Sequence, residues 1–295
     1  MIEPSNKHPE YMEVLKGNDP AAKRVIEADD KWYFQDTVHV SNSMLKVFQN
    51  DGIKNYDAYL QGKLRKESAA FNIGSAFHCL ILEGTDVFNE RYYVWDDSAK
   101  CIEISGEDWK EQNKKPRGTK AYKEWYAEEI APIEANPDIT MISADEFETI
   151  MKMEEALFNV PEAINLIKAC NAYERIYTNE INGIKTKCKV DGIKYDDFII
   201  DLKTTDSSVK EFIKSCYKYK YDQQAAFYTD TVDVKRLFFV VVEKKFPYNV
   251  GVFIAGESFL ERGREAYTIG LNDLSYFLGN KEFVVDNFYF RDTLY

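Results

Sequence analysis

Apolar positions along this chain follow two periods, and the change falls near residue 172. Before it the spacing is helical. Ser41, Asn42 or Ser43 offers an N-cap to the helix that runs on through "MLKVFQND". "AAFNIGSAFHCLILEG", residues 69–84, reads as a helix rich in small and apolar residues, and "DEFETIMKMEEALFNV" carries apolar residues at helical intervals. Pro161 opens a further helix, "PEAINLIKAC". "RYYVW" predicts a strand, while the polar run 96–118 predicts a mobile loop or lobe. Residues 1–37 read as a loosely structured extension, with a charged helical stretch near Pro20 to Asp30.

After residue 172 alternation takes over. Asn182-Gly183 is a strong two-residue hairpin signal between "AYERIYTNEI" and "IKTKCKVDGI". "DFIIDLKT" is a third strand, "KRLFFVVVEKK" and "YNVGVFIA" are further strands, and "SSVKEFIKSCYKY", "DQQAAFYTDTV" and "ESFLERGREAYTIGLNDLSYFL" are helices. The predicted fold is α/β, a mixed sheet flanked by helices, in a single domain over residues 38–295.

The hairpin turn fixes a register, and the register gathers charge. With Asn182-Gly183 at the turn, Glu174 falls opposite Asp191. Alternation then sets Ile184, Thr186, Cys188 and Val190 on an apolar side and Lys185, Lys187, Lys189 and Asp191 on the other. On the third strand Phe198, Ile200 and Leu202 oppose Ile199, Asp201 and Lys203. A turn centred on Asp196 aligns the apolar sides and puts Asp191 opposite Asp201; a slip of one residue would turn every side chain over. Glu174, Asp191, Asp201 and Lys203 therefore share the expected polar face. Like charges opposed across strands cost about 0.2–1 kcal/mol per exposed pair. The cost is relieved when one carboxylate protonates or a cation sits between them. Oxygen ligands without sulfur favour a hard ion, Mg²⁺ or Mn²⁺. The same acids and lysines also fit a solvated, salt-bridged surface.

Composition narrows the setting. The 295 residues include 20 Tyr and 19 Phe, enough for a substantial core and unlike a disordered chain. The apolar run "LFFVVV" is too short to span a bilayer, and the polar N-terminus argues against a secretory signal. Five scattered cysteines without a CxxC pair fit free thiols in a reducing cytoplasm. A net charge of −12 opposes coating of nucleic acid by bulk positive charge, but leaves room for a locally basic, metal-loaded groove.

Asp191, then Asp201-Leu202-Lys203, then Gln224 and Tyr228 in "QAAFY" resemble the RecB-type branch of the PD-(D/E)XK nucleases, which carries D, (D/E)xK and QxxxY in that order. "FNIGSAFHCLILEG" resembles the Gly-x-x-x-His helix of the exodeoxyribonuclease VIII (RecE-like) phage exonucleases. "SNSMLKVF" and "VEKKFPYNV" resemble the start and a late strand pair of that domain, so the likeness runs over roughly residues 38–290. It implies a restriction-endonuclease-like core with a helical N-terminal elaboration. It implies that His78, Asp191 and Asp201, with the Leu202 carbonyl, hold Mg²⁺ (or Mn²⁺), that Lys203 is the catalytic lysine, and that Glu174 is a second-metal or water-orienting acid. Lys189 stands where relatives often have Arg, which puts fine phosphate contacts in doubt.

The implied activity is exonucleolytic hydrolysis of linear duplex DNA from 5′ ends, in a homo-oligomeric ring, leaving 3′ single strands for a RecT-type annealing partner in recombination. A bacterial or phage-infected cytoplasm is the expected setting. Gln224 and Tyr228, four apart on one helix, could grip a substrate strand. Lys210, Lys214 and Lys218 form a basic stripe on the helix after the catalytic strand, and Lys114, Lys115, Arg117 and Lys120 a second basic cluster. Two other readings remain: a catalytically silent nuclease-fold module that binds DNA or protein, and a metal phosphoesterase for small molecules, which lacks a Gly-rich phosphate loop here.

Overall fold

A computed structural model describes residues 30–64 and 70–279. The helical stretch expected near Pro20 and most of the 1–37 extension lie outside the described residues. The chain divides into two compact units, one centred on Ser68–Glu155 and the other built from Glu10–Glu67 with Ala156–Tyr295.

The second unit holds a six-stranded mixed sheet. Its elements are α1 (Asp30–Gln35), β1 (Val40–Ser41) and α2 (Asn42–Leu60), and in the first unit α3 (Ala70–His78) follows. Ser41 is the N-cap of α2, its hydroxyl accepting from the Met44 amide at 3.3 Å. Gly52, at φ 80°, kinks α2 where no β-carbon could sit comfortably. After the first unit come α9 (Pro161–Lys168), β4 (Ala172–Ile181), β5 (Ile184–Lys194), β6 (Phe198–Thr205), α10 (Phe212–Lys218), α11 (Tyr221–Val232), β7 (Arg236–Glu243), β8 (Val250–Ile254) and α12 (Glu257–Leu278). The strand order is β1-β5-β6-β7-β8, with β4 on the far side of β5.

The hairpin register is as the turn demanded: Ile181 faces Ile184 and Arg175 faces Val190, with Asn182 and Gly183 both at positive φ. The β5–β6 register also holds, with Gly192 opposite Ile200, but pairing ends there and does not reach Asp191. Simple alternation fails at this point. Cys188, Val190 and Ile193 all enter one buried cluster with Ile199, Phe239 and residues of α11 and α12, although Val190 and Ile193 are three apart. Opposite the irregularity Glu174 sits at φ 52°, an unusual conformation for a side-chain-bearing residue, and the Glu174–Asp191 step is missing from the ladder.

Both faces of the sheet centre are buried: Phe198 through Leu202 are all enclosed. The face expected to be polar is thus covered by α2, α11 and α12, and Lys187 is 2% exposed. Its ammonium donates to the carbonyls of Tyr33 (2.7 Å) and Asp36 (2.5 Å) and pairs with the Asp36 carboxylate at 3.2 Å. This lysine closes the C-terminal end of α1. Helices α11 and α12 meet without an intervening side chain at Gly263, where a β-carbon would stand 2.0 Å from the Asp222 carbonyl oxygen. Asp222–Arg262 (2.6 Å) and Asp230–Arg264 (2.7 Å) tie the same two helices.

The first unit contains α3, which runs into a π-turn at Cys79–Glu83, then α4 (Thr85–Arg91), β2 (Tyr92–Trp95), α5 (Ser98–Ser105), α6 (Lys120–Trp125), α7 (Ala131–Glu134), β3 (Thr140–Ser143) and most of α8 (Ala144–Phe158). Strands β2 and β3 pair in parallel. The polar run 96–118 is not simply a loop. It contains α5, and buried Asp97 anchors it, accepting two hydrogen bonds from Arg117 (2.6 and 2.9 Å) and one from the Tyr122 hydroxyl. The Arg117 guanidinium beside it holds the Asp97 carboxyl down at about 2. A run of polar letters hid a folded segment because its one buried acid is fully paired. Among the described residues no helix is long and apolar enough to cross a membrane.

Candidate active site

Strand β5 forks the sheet. Along one edge it pairs in parallel with β1 at Thr186 and Lys187, and antiparallel with β6 from Gly192 to Lys194. Between these partners, at residues 188–191, no described strand occupies that edge. Asp191 fills the gap with its own side chain: its carboxylate accepts the Leu202 amide at 2.7 Å. The divergence of β1 from β6 thus brings the first aspartate to the middle of the Asp-x-Lys strand.

Asp201 is 3% exposed and points under α11, where its Oδ1 accepts a hydrogen bond from Gln224 Nε2 at 2.7 Å. Its Oδ2 forms an ion pair with Lys203 Nζ but has no well-formed hydrogen bond. Lys203 also lies over the Tyr221 ring, 5.1 Å from its centre. Burial and the neighbouring charges of Asp201 and Glu174 push the Asp191 carboxyl well above its ordinary range, against the opposing pull of Lys203 and the Leu202 amide. Burial works to neutralise Lys203, but Asp201 and Asp191 outweigh it and hold its ammonium more firmly protonated than usual. Two carboxylates that repel each other in a partly dry site, with one buried oxygen short of a donor, are a donor set a hard divalent cation fits. Among the described residues no three His, Cys, Asp or Glu side chains converge to hold a metal. The acids present at the fork are Asp191, Asp201 and, through its charge on Asp191, Glu174.

Glu174 is engaged by Lys189 at 2.6 Å, and Lys189 also reaches Asp30 at 2.6 Å. Gln224 is buried against Asp201, so it orients a carboxylate rather than facing outward as a free substrate contact. Tyr228 sits one turn further along α11, its hydroxyl held protonated by burial and by Tyr33, Cys188 and the two aspartates. Lys210 belongs to a 3₁₀ turn ahead of α10, so the three lysines do not form one helical stripe, and Lys214 is paired with Glu211. In the first unit the second basic cluster is also neutralised, Arg117 by Asp97 and Lys120 by Glu124. His78 ends α3 of that unit.

One residue escaped the sequence reading. Lys46 of α2 donates to the Tyr219 carbonyl at 3.1 Å, and its amine is lowered to about 8 by burial, then by the nearby positive charge of Lys203 and Lys220, with Asp201 opposing. The one available signal was the Lys in "SNSMLKVF", which periodicity alone assigns to an ordinary helix face.

A forked mixed sheet with Asp on one branch and Asp-x-Lys on the next defines a PD-(D/E)XK-like domain. The chain belongs to the family described as a PDDEXK-like domain of unknown function (DUF3799), whose model matches residues 41–283. No curated protein matches this chain. Among solved structures it is similar to a candidate exonuclease of Eubacterium rectale, 17% identical over 92% of this chain and 97% of that chain, with a TM-score of 0.49. SSO0001 aligns over 42% of this chain and 67% of that one, at 17% identity and a TM-score of 0.25.

Proposed function

We propose that this protein is a Mg²⁺-dependent DNA exonuclease of the RecE-like kind, hydrolysing phosphodiesters of linear duplex DNA from 5′ ends. The observation that carries the reading is the assembly at the fork: Asp191 on the Leu202 amide, and Asp201 held between Gln224 and Lys203. Asp191, Asp201 and the Leu202 carbonyl would hold the ion, with Mn²⁺ able to replace it, and His78 is a further ligand on the sequence resemblance alone. A bound divalent ion supplies an acidified water and draws charge from the phosphoryl oxygen.

The chain's own groups do the rest. Lys203, firmly protonated, presents positive charge where the phosphate gains negative charge. Gln224 keeps Asp201 from rotating, and Glu174 orients water near Asp191. Tyr228, with Lys210 and Lys214, contacts the substrate strand. The product is a 3′ single strand, suited to a RecT-type annealing partner, and a homo-oligomeric ring is the assembly proposed around the DNA.

A silent module that binds DNA or protein is the second reading, favoured by the absence of a converged three-ligand cluster among the described residues. End-labelled linear duplex and covalently closed circles, each with Mg²⁺ or EDTA, separate the two. Mg²⁺-dependent loss of linear DNA alone, reduced about 10²–10³-fold in Lys203→Ala, supports the exonuclease. Cleaved circles would make it an endonuclease, and intact DNA throughout would leave the binding module.

A further inference from the structure

The lysines around the site differ in one respect. Lys187, Lys189, Lys203, Lys214 and Lys244 each meet a carboxylate. Lys46 and Lys220 do not: among the described residues neither has a carboxylate at ion-pair distance. Lys46 Nζ meets the Tyr219 carbonyl (3.1 Å), and Lys220 Nζ meets the Asn50 side-chain oxygen at 2.6 Å. Both therefore converge on the short link between α10 and α11, one from α2 and one from the link itself. The next residue of that link, Tyr221, carries Lys203 over its ring, and the Tyr219 and Tyr221 rings lie 5.7 Å apart. Three cations thus crowd a three-residue stretch with Asp201 as the one carboxylate paired to any of them. In a chain of net charge −12 this concentration is costly unless an anion completes it. The mutual repulsion is felt at Lys46, whose amine burial and its two lysine neighbours lower to about 8.

We propose that Lys46 and Lys220 form a phosphate subsite beside the Asp201–Lys203 pair, taking the backbone phosphodiester next to the one cleaved. The identity of that phosphate rests on the nuclease reading; the subsite's affinity for backbone phosphate does not require cleavage. A lysine ammonium is a compact charge with three donors, suited to non-bridging oxygens without reading the base. The structural alternative is that Lys46 only caps the end of α10 through the Tyr219 carbonyl.

The test is equilibrium binding of a short fluorescein-labelled duplex in EDTA, across a salt series, for the wild type, Lys46→Gln, Lys46→Arg and Lys220→Gln. Each phosphate contact contributes about −0.9 to the slope of log K against log salt. Lys46→Gln should lower the magnitude of the slope by about that amount, whereas Lys46→Arg should keep it. Neutral methylphosphonates placed singly along the strand should weaken the wild type at one position where Lys46→Gln is insensitive. A capping role would shift the melting temperature and leave both readouts alone. An unchanged slope and an unchanged methylphosphonate profile in Lys46→Gln would overturn the subsite, as would a wild type that binds no DNA. If Lys46→Gln does not fold, Lys220→Gln decides by the same two criteria. Binding that meets them, without cleavage in Mg²⁺, would refute the nuclease reading and leave the subsite standing.

Discussion

At the scale of single residues, the carboxyl of Asp191 is the most informative group. Its folded-state affinity for a proton is raised, first by burial and then by Asp201 and Glu174. A raised carboxyl pKa means the folded state holds this proton more tightly than the unfolded chain. The metal-free protein therefore loses stability from this group as pH rises from the ordinary carboxylate range toward the folded pKa. A divalent ion needs the carboxylate deprotonated, so binding expels a proton and strengthens as pH rises through the same window. Melting temperatures with Mg²⁺ and with EDTA, taken at stepwise pH, should show a metal-induced gain that grows with pH. Asp191→Asn should abolish the gain while raising metal-free stability above the ordinary carboxylate range. A gain independent of pH, or one kept in the variant, would remove Asp191 from the metal site. Gln224 gives a companion expectation. Its amide donates to Asp201 Oδ1, and such supporting groups are worth about 10–100-fold in metal affinity or activity. Gln224→Ala should weaken Mg²⁺ binding in calorimetry by that range with the fold intact; unchanged affinity would mean the hydrogen bond is incidental.

Elements were legible in the sequence wherever one local rule dominated. The Asn182-Gly183 turn fixed its register because both residues tolerate positive φ, and Pro161 opened α9 because its missing N–H is no loss at a helix start. The site was legible for the same reason: two correctly placed turns bring Asp191 toward Asp201. What escaped was non-local. Alternation could not reveal that β1 and β6 would share one edge of β5, so Asp191 bonds the Leu202 amide instead of facing Asp201 across a regular ladder. Nor could it reveal that α11 would bury the charged face or that Lys187 would close α1. The α11–α12 contact is likewise invisible in one dimension, since "ERGRE" is an ordinary helical stretch. Gly263→Ala should destabilise by about 1–3 kcal/mol, because its new methyl meets backbone that cannot rotate away. Chemical denaturation would read this as a lower midpoint at unchanged m-value. Wild-type stability would show that the two helices part easily, and with them the support beneath Gln224.

For the molecule as a whole, the difficulty is a chain of net charge −12 proposed to hold a polyanion. Much of its basic inventory is already spent. Arg262 and Arg264 clasp α11, Lys187 and Lys189 hold α1, and Lys214 answers Glu211. A single chain therefore offers few unpaired cations, and by counterion release few contacts mean a shallow salt dependence and weak retention of DNA. Sustained digestion then requires something other than bulk attraction, and encirclement supplies it: a closed ring keeps hold of a strand topologically while its outer surface stays acidic. The proposed homo-oligomer thus carries a physical burden, and it can be weighed. Sedimentation equilibrium at working concentrations should give an integral multiple of the chain mass, unchanged by moderate salt. On a mixture of long and short linear duplexes, the oligomer should finish each molecule it engages even when excess unlabelled DNA is added after loading. A monomer throughout, releasing its substrate as soon as competitor arrives, would rule out the ring. The Asp191–Asp201–Lys203 chemistry would remain untouched, but the acidic chain would then have to hold DNA by its metal and a few lysines alone.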